Sequence, residues 1–80
     1  MTLSDARFEK IYRIVSLNGG ANMAQRLSAM GLYPGARVAL ASRAPLCGPL
    51  LIKNIENNVQ VALGTGVVEK IEVVEVEDGE

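Results

Sequence analysis

The most constraining feature of this chain is a ten-residue segment with the sequence RLSAMGLYPG. Gly31 stands where a helix would end, because glycine enters the left-handed conformation without the steric penalty of a β-carbon. Leu32 follows it, at the position from which a side chain packs back on Leu27 in a Schellman-type ending. Pro34 and Gly35 supply the fixed φ and the positive φ of a type II turn. The segment therefore predicts a helix end followed closely by a strand.

This segment also resembles a known family. Its pattern Arg-Leu-x-x-x-Gly-Leu-x-Pro-Gly is similar to the central motif of the FeoA family, small accessory proteins of bacterial and archaeal ferrous-iron uptake. Nearly the whole chain shares the similarity, including the opening residues 1–4, the Ala-Pro-Leu before a Gly-Pro, and the closing Ile71 and Val73. The residues that match the motif are Arg26, Leu27, Gly31, Leu32, Pro34 and Gly35. Most of them look architectural, and the resemblance implies an SH3-like fold.

The chain departs from the family pattern in two loops. Cys47 and Gly48 stand where the family leads us to expect a glycine followed by a polar residue. Residues 64–66, with the sequence Gly-Thr-Gly, replace a more helical approach to the last strand. These departures affect the details of the loops rather than the family resemblance.

The composition indicates a single domain, residues 1–80, with an aliphatic core. Apolar residues make up 49% of the chain but aromatic residues only 4%, so valine, isoleucine, leucine, alanine and methionine must fill the interior. One cysteine cannot form an internal disulfide, which suits a reducing cytoplasm. No secretory signal or membrane-spanning run is recognisable. We therefore expect a cytoplasmic protein without direct membrane insertion.

The charges divide along the chain. Residues 1–53 carry seven basic and two acidic residues, a balance of +5, whereas residues 54–80 carry one basic and seven acidic residues, a balance of −6. The asymmetry indicates either pairing of the first strand with the last or complementary surfaces for a partner. A nucleic-acid binder would carry an excess of basic charge, so we expect no nucleic-acid partner.

The order of the predicted elements is typical of a small antiparallel barrel. A short helix is predicted over residues 23–30, after the first strand, and one helical turn over residues 67–69. The strands are predicted over residues 10–17, 36–43, 50–55, 59–63 and 71–76, with fraying of residues 77–80. Five short strands and one inserted helix favour a mainly β, partly open SH3-like barrel.

Several finer expectations concern the N-terminal half. Thr2 or Ser4 is expected to cap a helical turn whose Leu3 and Phe8 contact the core, the alternative being a loosely attached arm. The impure alternation of the first strand indicates either burial of both faces or a β-bulge.

The helix and the second hairpin bring further expectations. Asn22 and Gln25 form a capping-box-like start for the helix, and Met23, Leu27 and Met30 form one apolar stripe. Positive φ is expected in the hairpin turn at residues 57–58. The buried side of the following strand is predicted to be Val59, Val61 and Leu63.

No constellation in the sequence points to catalysis. Without histidine there is no imidazole base and no His-bearing zinc motif, so we predict no enzyme activity and no catalytic, cofactor or metal residues. Cys47, on a loop, is either an exposed ligand or a small apolar side chain. The acidic residues between 69 and 78 form either a cation site or, as we prefer, a solvated strand edge.

A binding function remains, carried by exposed loops. Tyr33 either anchors an interface or packs on the helix end, and Arg26 pairs either with a partner or with the domain's own carboxylates. The candidate partner-contact residues are Arg26, Tyr33, Arg43 and Leu46.

The family resemblance implies which partner such loops would contact. It points to the cytoplasmic part of FeoB, the membrane GTPase of ferrous-iron transport, which the protein would bind and regulate. The alternative is a metal-binding SH3-like module related to the C-terminal domains of iron-dependent repressors. Weak self-association through the strand edges is a third possibility.

Overall fold

The computed structural model describes residues 1–76, and its strands form a single antiparallel sheet. A 3₁₀ turn, Leu3–Asp5, comes first. The elements that follow are β1 (Ile11–Leu17), α1 (Ala21–Ala29), β2 (Arg37–Arg43), β3 (Leu50–Asn54), β4 (Gln60–Leu63), α2 (Thr65–Val68) and β5 (Ile71–Val76). The five strands lie in the order β4-β3-β2-β1-β5. The predicted mainly β fold, with one short helix after the first strand, is confirmed.

The end of α1 is a Schellman motif, as the sequence predicts. Gly31 has a φ of 88°. Its N–H donates to the carbonyl oxygen of Ser28 at 3.0 Å, and the N–H of Leu32 donates to the carbonyl oxygen of Leu27 at 2.8 Å. Leu27 and Leu32 are both buried. The two bonds and the apolar contact across them stop the helix and set the direction of the chain that leaves it.

The turn after the helix leads directly into β2. Its closing bond runs from the N–H of Ala36 to the carbonyl oxygen of Tyr33 at 2.9 Å, and Gly35 has a φ of 96°, as a type II turn requires. The N–H of Gly35 also donates to the carbonyl oxygen of Ile14 at 2.7 Å, which attaches the turn to β1. Val38 and Leu40, the inward residues predicted for β2, are buried.

The core is aliphatic except for one ring. Tyr12 is buried on β1, and its hydroxyl accepts a hydrogen bond from the backbone N–H of Arg7 at 2.9 Å. Branched aliphatic side chains from the strands, both helices and the loops belong to the same core, among them Leu3, Ile14, Leu27, Leu32, Val38, Ile52, Leu63, Val68, Ile71 and Val73. The composition predicted such a core.

The N-terminal segment is attached to the sheet and is not a loose arm. Leu3 is fully buried, Thr2 forms a β-bridge with Glu72, and the N–H of Val73 donates to the carbonyl oxygen of Met1 at 2.9 Å. The prediction for Phe8 is wrong, since this ring is 53% exposed. The predicted side-chain cap is also wrong, because no side chain caps this turn.

A β-bulge explains the impure alternation of β1. The pairing of β1 with β5 shifts register between Ile14 and Ser16. Tyr12 and Ile14, before the shift, are buried, whereas Val15 inside it is exposed. Strict alternation from Ile14 would also turn Leu17 away from the core, but the extra residue lets Leu17 pack against it, which selects the bulge from the two alternatives.

Helix α1 begins earlier than predicted, and the capping box is wrong. Its N-cap is Gly20, at a φ of 89° and with no side-chain cap, so Asn22 lies inside the first turn. The positive φ of Gly20 redirects the chain into the helix without a side-chain acceptor. Of the predicted stripe, only Leu27 is buried, while Met23 is half-buried and Met30 is 37% exposed.

The connection between β3 and β4 is longer than predicted, residues 55–59 instead of 56–58. Asn58 has the expected positive φ of 61°, but Asn57 does not share it. Val59 is exposed rather than buried, because it belongs to the turn, where its N–H donates to Oδ1 of Asn57 at 2.9 Å. Helix α2 begins two residues before the predicted turn. The predicted fraying of residues 77–80 lies outside the described residues.

Candidate functional site

An open apolar groove lies between α1 and an opposite wall formed by the end of β4 and by α2. Its volume is about 520 Å³. The residues that line it are Met23, Arg26, Leu27, Ala29 and Met30 from α1, and Leu63 and Val67 from the opposite wall. We refer to it as the α1–α2 groove. Apart from Arg26, every lining side chain is apolar, so the groove suits an apolar side chain of another molecule.

The groove exists because its two helices are too short to cover one another. Helix α1 has nine residues, of which only Leu27 is buried. Helix α2 has four residues, of which only Val68 is buried, and Val67 is left half-buried at the groove wall. The exposed flank is supplied largely by Met23 and Met30, whose flexible thioether side chains adapt to differently shaped partners.

Arg26 is the single charged residue that lines the groove. It lies exposed in the last turn of α1, where a cation also complements the negative end of the helix dipole. Within residues 1–76 it forms no ion pair. The alternative in which Arg26 pairs with the domain's own carboxylates is therefore not seen in the described part of the chain, and a carboxylate from outside can approach it.

A second cleft lies on the other side of α2, against the loop between β2 and β3. Its volume is about 330 Å³, and Thr65 forms its α2 wall, just as Val67 forms a wall of the groove. We call it the loop cleft. Its remaining lining residues are Arg43, Ala44, Pro45, Leu46, Cys47, Gly48 and Leu50. Three of the four predicted partner-contact residues, Arg26, Arg43 and Leu46, therefore lie around α2.

The tip of that loop presents an apolar side chain on a strained backbone. Leu46 is 98% exposed, and both Leu46 and Cys47 have a φ of 58°. The N–H of Gly48 closes the turn on the carbonyl oxygen of Pro45 at 3.1 Å. Left-handed φ values favour glycine, which accounts for the glycine expected at position 47. The thiol of Cys47 is free and exposed.

Unlike Leu46, neither Arg43 nor Tyr33 lies at the exposed tip of the loop. The guanidinium of Arg43 donates to the carbonyl oxygen of Ala6 at 2.8 Å and approaches that of Ser4 at 3.5 Å, so it ties the N-terminal segment to β2. Tyr33 is 42% exposed on the turn after α1 and lines neither cleft. Arg43 thus has a structural role beside any contact it makes, and Tyr33 faces a separate part of the surface.

Ion pairs join the two halves of the charge pattern. Lys10 Nζ lies 3.5 Å from Glu75 Oε2, beside the β1–β5 pairing, and Arg37 Nε lies 4.0 Å from Glu56 Oε1. These contacts support internal pairing as one origin of the charge asymmetry. Among residues 1–76 there is no cluster of three or more histidine, cysteine or acidic side chains that could hold a metal ion.

The far wall of the groove was missed by sequence reasoning. Leu63 and Val67 both look like ordinary core residues in the sequence, and the stripe of Met23 and Met30 was assigned to the core as well. A signal was nevertheless present, because residues 57–68 contain no charged side chain at all. Most of these residues are exposed in the structure, which leaves an uncharged surface beside a helix with two methionines.

Comparisons with known proteins agree with this architecture. The family model described as the FeoA domain matches residues 1–75. A crystal structure of an iron uptake regulatory protein, FeoA, shares 30% identity and a TM-score of 0.83, over 95% of this chain and 97% of that one. No curated protein matches the chain.

Two further structures extend the comparison. A zinc complex of Stenotrophomonas maltophilia FeoA, described as a prokaryotic SH3 domain protein and suggested as a ferrous iron transport activating factor, shares 26% identity and a TM-score of 0.75, over 92% of this chain and 89% of that one. A manganese-dependent transcriptional repressor, in complex with manganese, shows the same fold at 17% identity and a TM-score of 0.82, over 95% of this chain and 36% of the repressor. The predicted SH3-like fold is confirmed.

The described part of the chain, residues 1–76, has no helix long and apolar enough to span a bilayer. The FeoA model covers almost the whole sequence, and the motif residues form the helix end and turn predicted for them. This chain therefore belongs to the FeoA domain family, the SH3-like proteins associated with ferrous iron transport.

Proposed function

We propose that this protein is a cytoplasmic accessory factor of ferrous-iron uptake that binds the cytoplasmic part of the FeoB membrane GTPase and regulates it. The observation that carries the proposal is the α1–α2 groove, an open apolar surface with one cation at its rim. Interfaces between proteins are anchored by a few side chains that fill such apolar pockets. The protein acts by docking and catalyses no reaction itself.

The chemistry of the groove defines the binding segment of the partner. The methionine and leucine side chains suit an apolar anchor residue, and Arg26 suits a carboxylate placed next to that anchor. A specific interface covers about 800 Å² on each partner, which is more than one groove supplies. The contact therefore extends over α2 to the exposed Leu46 at the loop tip.

Calorimetric titration of the purified protein with the cytoplasmic part of FeoB from the same organism tests this proposal. We expect saturable binding that Arg26→Glu weakens about tenfold, since the change replaces attraction for a carboxylate by repulsion. The exposed Arg7 lines neither cleft, so Arg7→Glu is the matched control and should bind as the parent protein does.

Timing GTP hydrolysis by FeoB with and without the protein measures the regulatory part. A rate that changes with the parent protein but not with Arg26→Glu supports the proposal. Absence of binding by the parent protein would contradict it.

A second candidate function is metal binding, favoured by the shared fold of the manganese-dependent repressor and by the zinc complex of the S. maltophilia protein. The described residues offer no cluster of three ligands, so any site here would be sparse. Anaerobic titration with ferrous, manganese and zinc ions tests this function. Binding that survives in Cys47→Ser would assign it to oxygen ligands, and absence of binding would remove the candidate.

A further inference from the structure

The two edges of the sheet differ in a way that the docking proposal leaves unexplained. The β5 edge is partly covered, because Thr2 bridges to Glu72 and the carbonyl oxygen of Met1 accepts from Val73. It is also acidic, with Glu72 and Glu75 on the strand. At the other edge, β4 pairs with β3 alone among the described residues.

The β4 edge lacks most of the features that protect an edge strand from pairing. Such strands are usually guarded by charged side chains, proline or a bulge. Residues 57–68 contain neither a charged residue nor a proline, and the pairing of β3 with β4 runs without a register shift. The short length of β4, four residues, is the one protective feature that remains. Its main-chain groups are therefore open to another strand.

The α1–α2 groove begins where this open edge ends. Leu63 is the last residue of β4 and also a wall of the groove, with Arg26 on the opposite wall. A strand added along β4 would thus bring its side chains to an apolar groove and a cation. An acidic segment is disfavoured at β5, where it would meet Glu72 and Glu75, and is favoured near Arg26.

We propose that the β4 edge accepts an extended, acidic segment of the partner as a sixth strand, with one apolar side chain in the α1–α2 groove and one carboxylate at Arg26. The proposal rests on the proposed function and adds the mode of binding to it. Strand addition obtains affinity from main-chain hydrogen bonds and specificity from pockets for side chains. A second copy of this chain is a poorer occupant, because its own β4 edge offers Arg26 no carboxylate and its acidic β5 edge is partly covered by Met1 and Thr2.

Amide hydrogen exchange, measured residue by residue by NMR, tests this mode of binding. The probe is the cytoplasmic part of FeoB from the same organism, at saturating concentration. We expect outward-facing amides within Gln60–Leu63 to exchange at least about tenfold more slowly in the complex, because they gain hydrogen-bond partners. The amide of Glu75 on β5, which faces outward at the opposite edge of the sheet, should keep its rate.

A pair of substitutions at one exposed position tests the charge of the incoming segment. Ala62 lies on β4 with its side chain exposed. Ala62→Glu should weaken binding about tenfold, whereas Ala62→Lys should bind at least as tightly as the parent protein. Val74→Glu, on the exposed face of β5, is the matched control and should leave binding unchanged.

Each remaining outcome overturns the inference. Binding of FeoB without slower exchange in β4 would leave the docking proposal standing and remove strand addition. If the β4 amides exchange more slowly without FeoB as the protein concentration is raised, the edge pairs with a second copy of this chain. Absence of any binding by the parent protein would overturn both the proposed function and this inference.

Discussion

The side-chain amide of Asn54 donates a hydrogen bond to the carbonyl oxygen of Gly31 at 2.6 Å, which joins the end of β3 to the end of α1. Asn54 is also the one buried polar residue of the described chain. Its Oδ1 accepts from the N–H groups of Glu56 and Asn57, at 2.8 and 3.3 Å. One amide side chain thus satisfies both the helix end and the β3–β4 hairpin.

Asn54→Ala should lower the free energy of unfolding by about 2 to 3 kcal/mol, because it leaves buried backbone groups without partners. Urea denaturation measures this as a lower midpoint with an unchanged slope. The control is Asn57→Ala, which removes one exposed bond to the N–H of Val59 and should cost less than about 1 kcal/mol. Equal losses in the two variants would show that Asn54 has no special role.

Gly31→Ala should destabilise the protein more than Gly35→Ala. Both glycines have positive φ, so each alanine costs about 1 to 2 kcal/mol in backbone strain. A β-carbon on Gly31 would in addition lie 3.2 Å from Nδ2 of Asn57 and 3.3 Å from Nδ2 of Asn54, whereas one on Gly35 would meet open space. Thermal or urea unfolding of both variants measures the difference.

A double-mutant cycle separates the two causes for Gly31. In an Asn57→Ala background one of the close contacts is absent, so the penalty of Gly31→Ala should shrink toward that of Gly35→Ala. An unchanged penalty would mean that backbone strain alone sets the cost.

Cys47→Gly should stabilise the protein by about 0.5 kcal/mol. Glycine removes the penalty of the left-handed conformation at a φ of 58°, and the greater freedom of the unfolded chain offsets part of the gain. Cys47→Ala is the matched control, since it removes the thiol but keeps the β-carbon, and it should change stability little. A gain in both variants, measured by urea denaturation, would point to the thiol instead of the backbone.

We expect the contact with FeoB to continue beyond the two clefts, past Met30 to the exposed turn after α1, so Tyr33→Ala should weaken binding while the melting transition is retained. The ring is 42% exposed, and the turn is held by backbone bonds that alanine keeps. We expect a loss of stability of about 1 kcal/mol or less, with binding about tenfold weaker in calorimetry. Tyr33→Phe keeps the ring and should retain most of the affinity. Unfolding of the alanine variant would instead place the ring in the core.

The parts of the fold that were predictable are those with a local cause. The helix end at Gly31, the turn at Gly35 and the strand with Val38 and Leu40 each depend on residues close in sequence, and all three are confirmed. β5 occupies the residues predicted for it. Glycine, proline and strict alternation restrict the backbone directly, so these elements can be predicted from the sequence.

The errors arise where tertiary contacts decide. Phe8 and Val59 look like core residues but lie outside it, because the N-terminal segment is fixed through Leu3 and the hairpin through Asn54. Asn22 resembles a cap, yet the positive φ of Gly20 starts the helix first.

The candidate site was only partly predictable for the same reason. Arg26 and Leu46 were predicted as contacts from their helix-end and loop positions, and each of them lines a cleft. The far wall of the groove depends on α2 being placed opposite α1, and no local pattern in the sequence predicts how two helices so far apart in the chain are placed relative to one another.

The contrast between the two tyrosines makes the protein its own optical reporter. The chain has two tyrosines and no tryptophan, and Tyr12 is 1% exposed whereas Tyr33 is 42% exposed. Acrylamide should therefore quench emission from Tyr33 in the native protein and reach Tyr12 only after denaturation. A Tyr33→Phe sample would report global opening alone, and the parent sample would report in addition any ligand that shields the turn, without an attached dye.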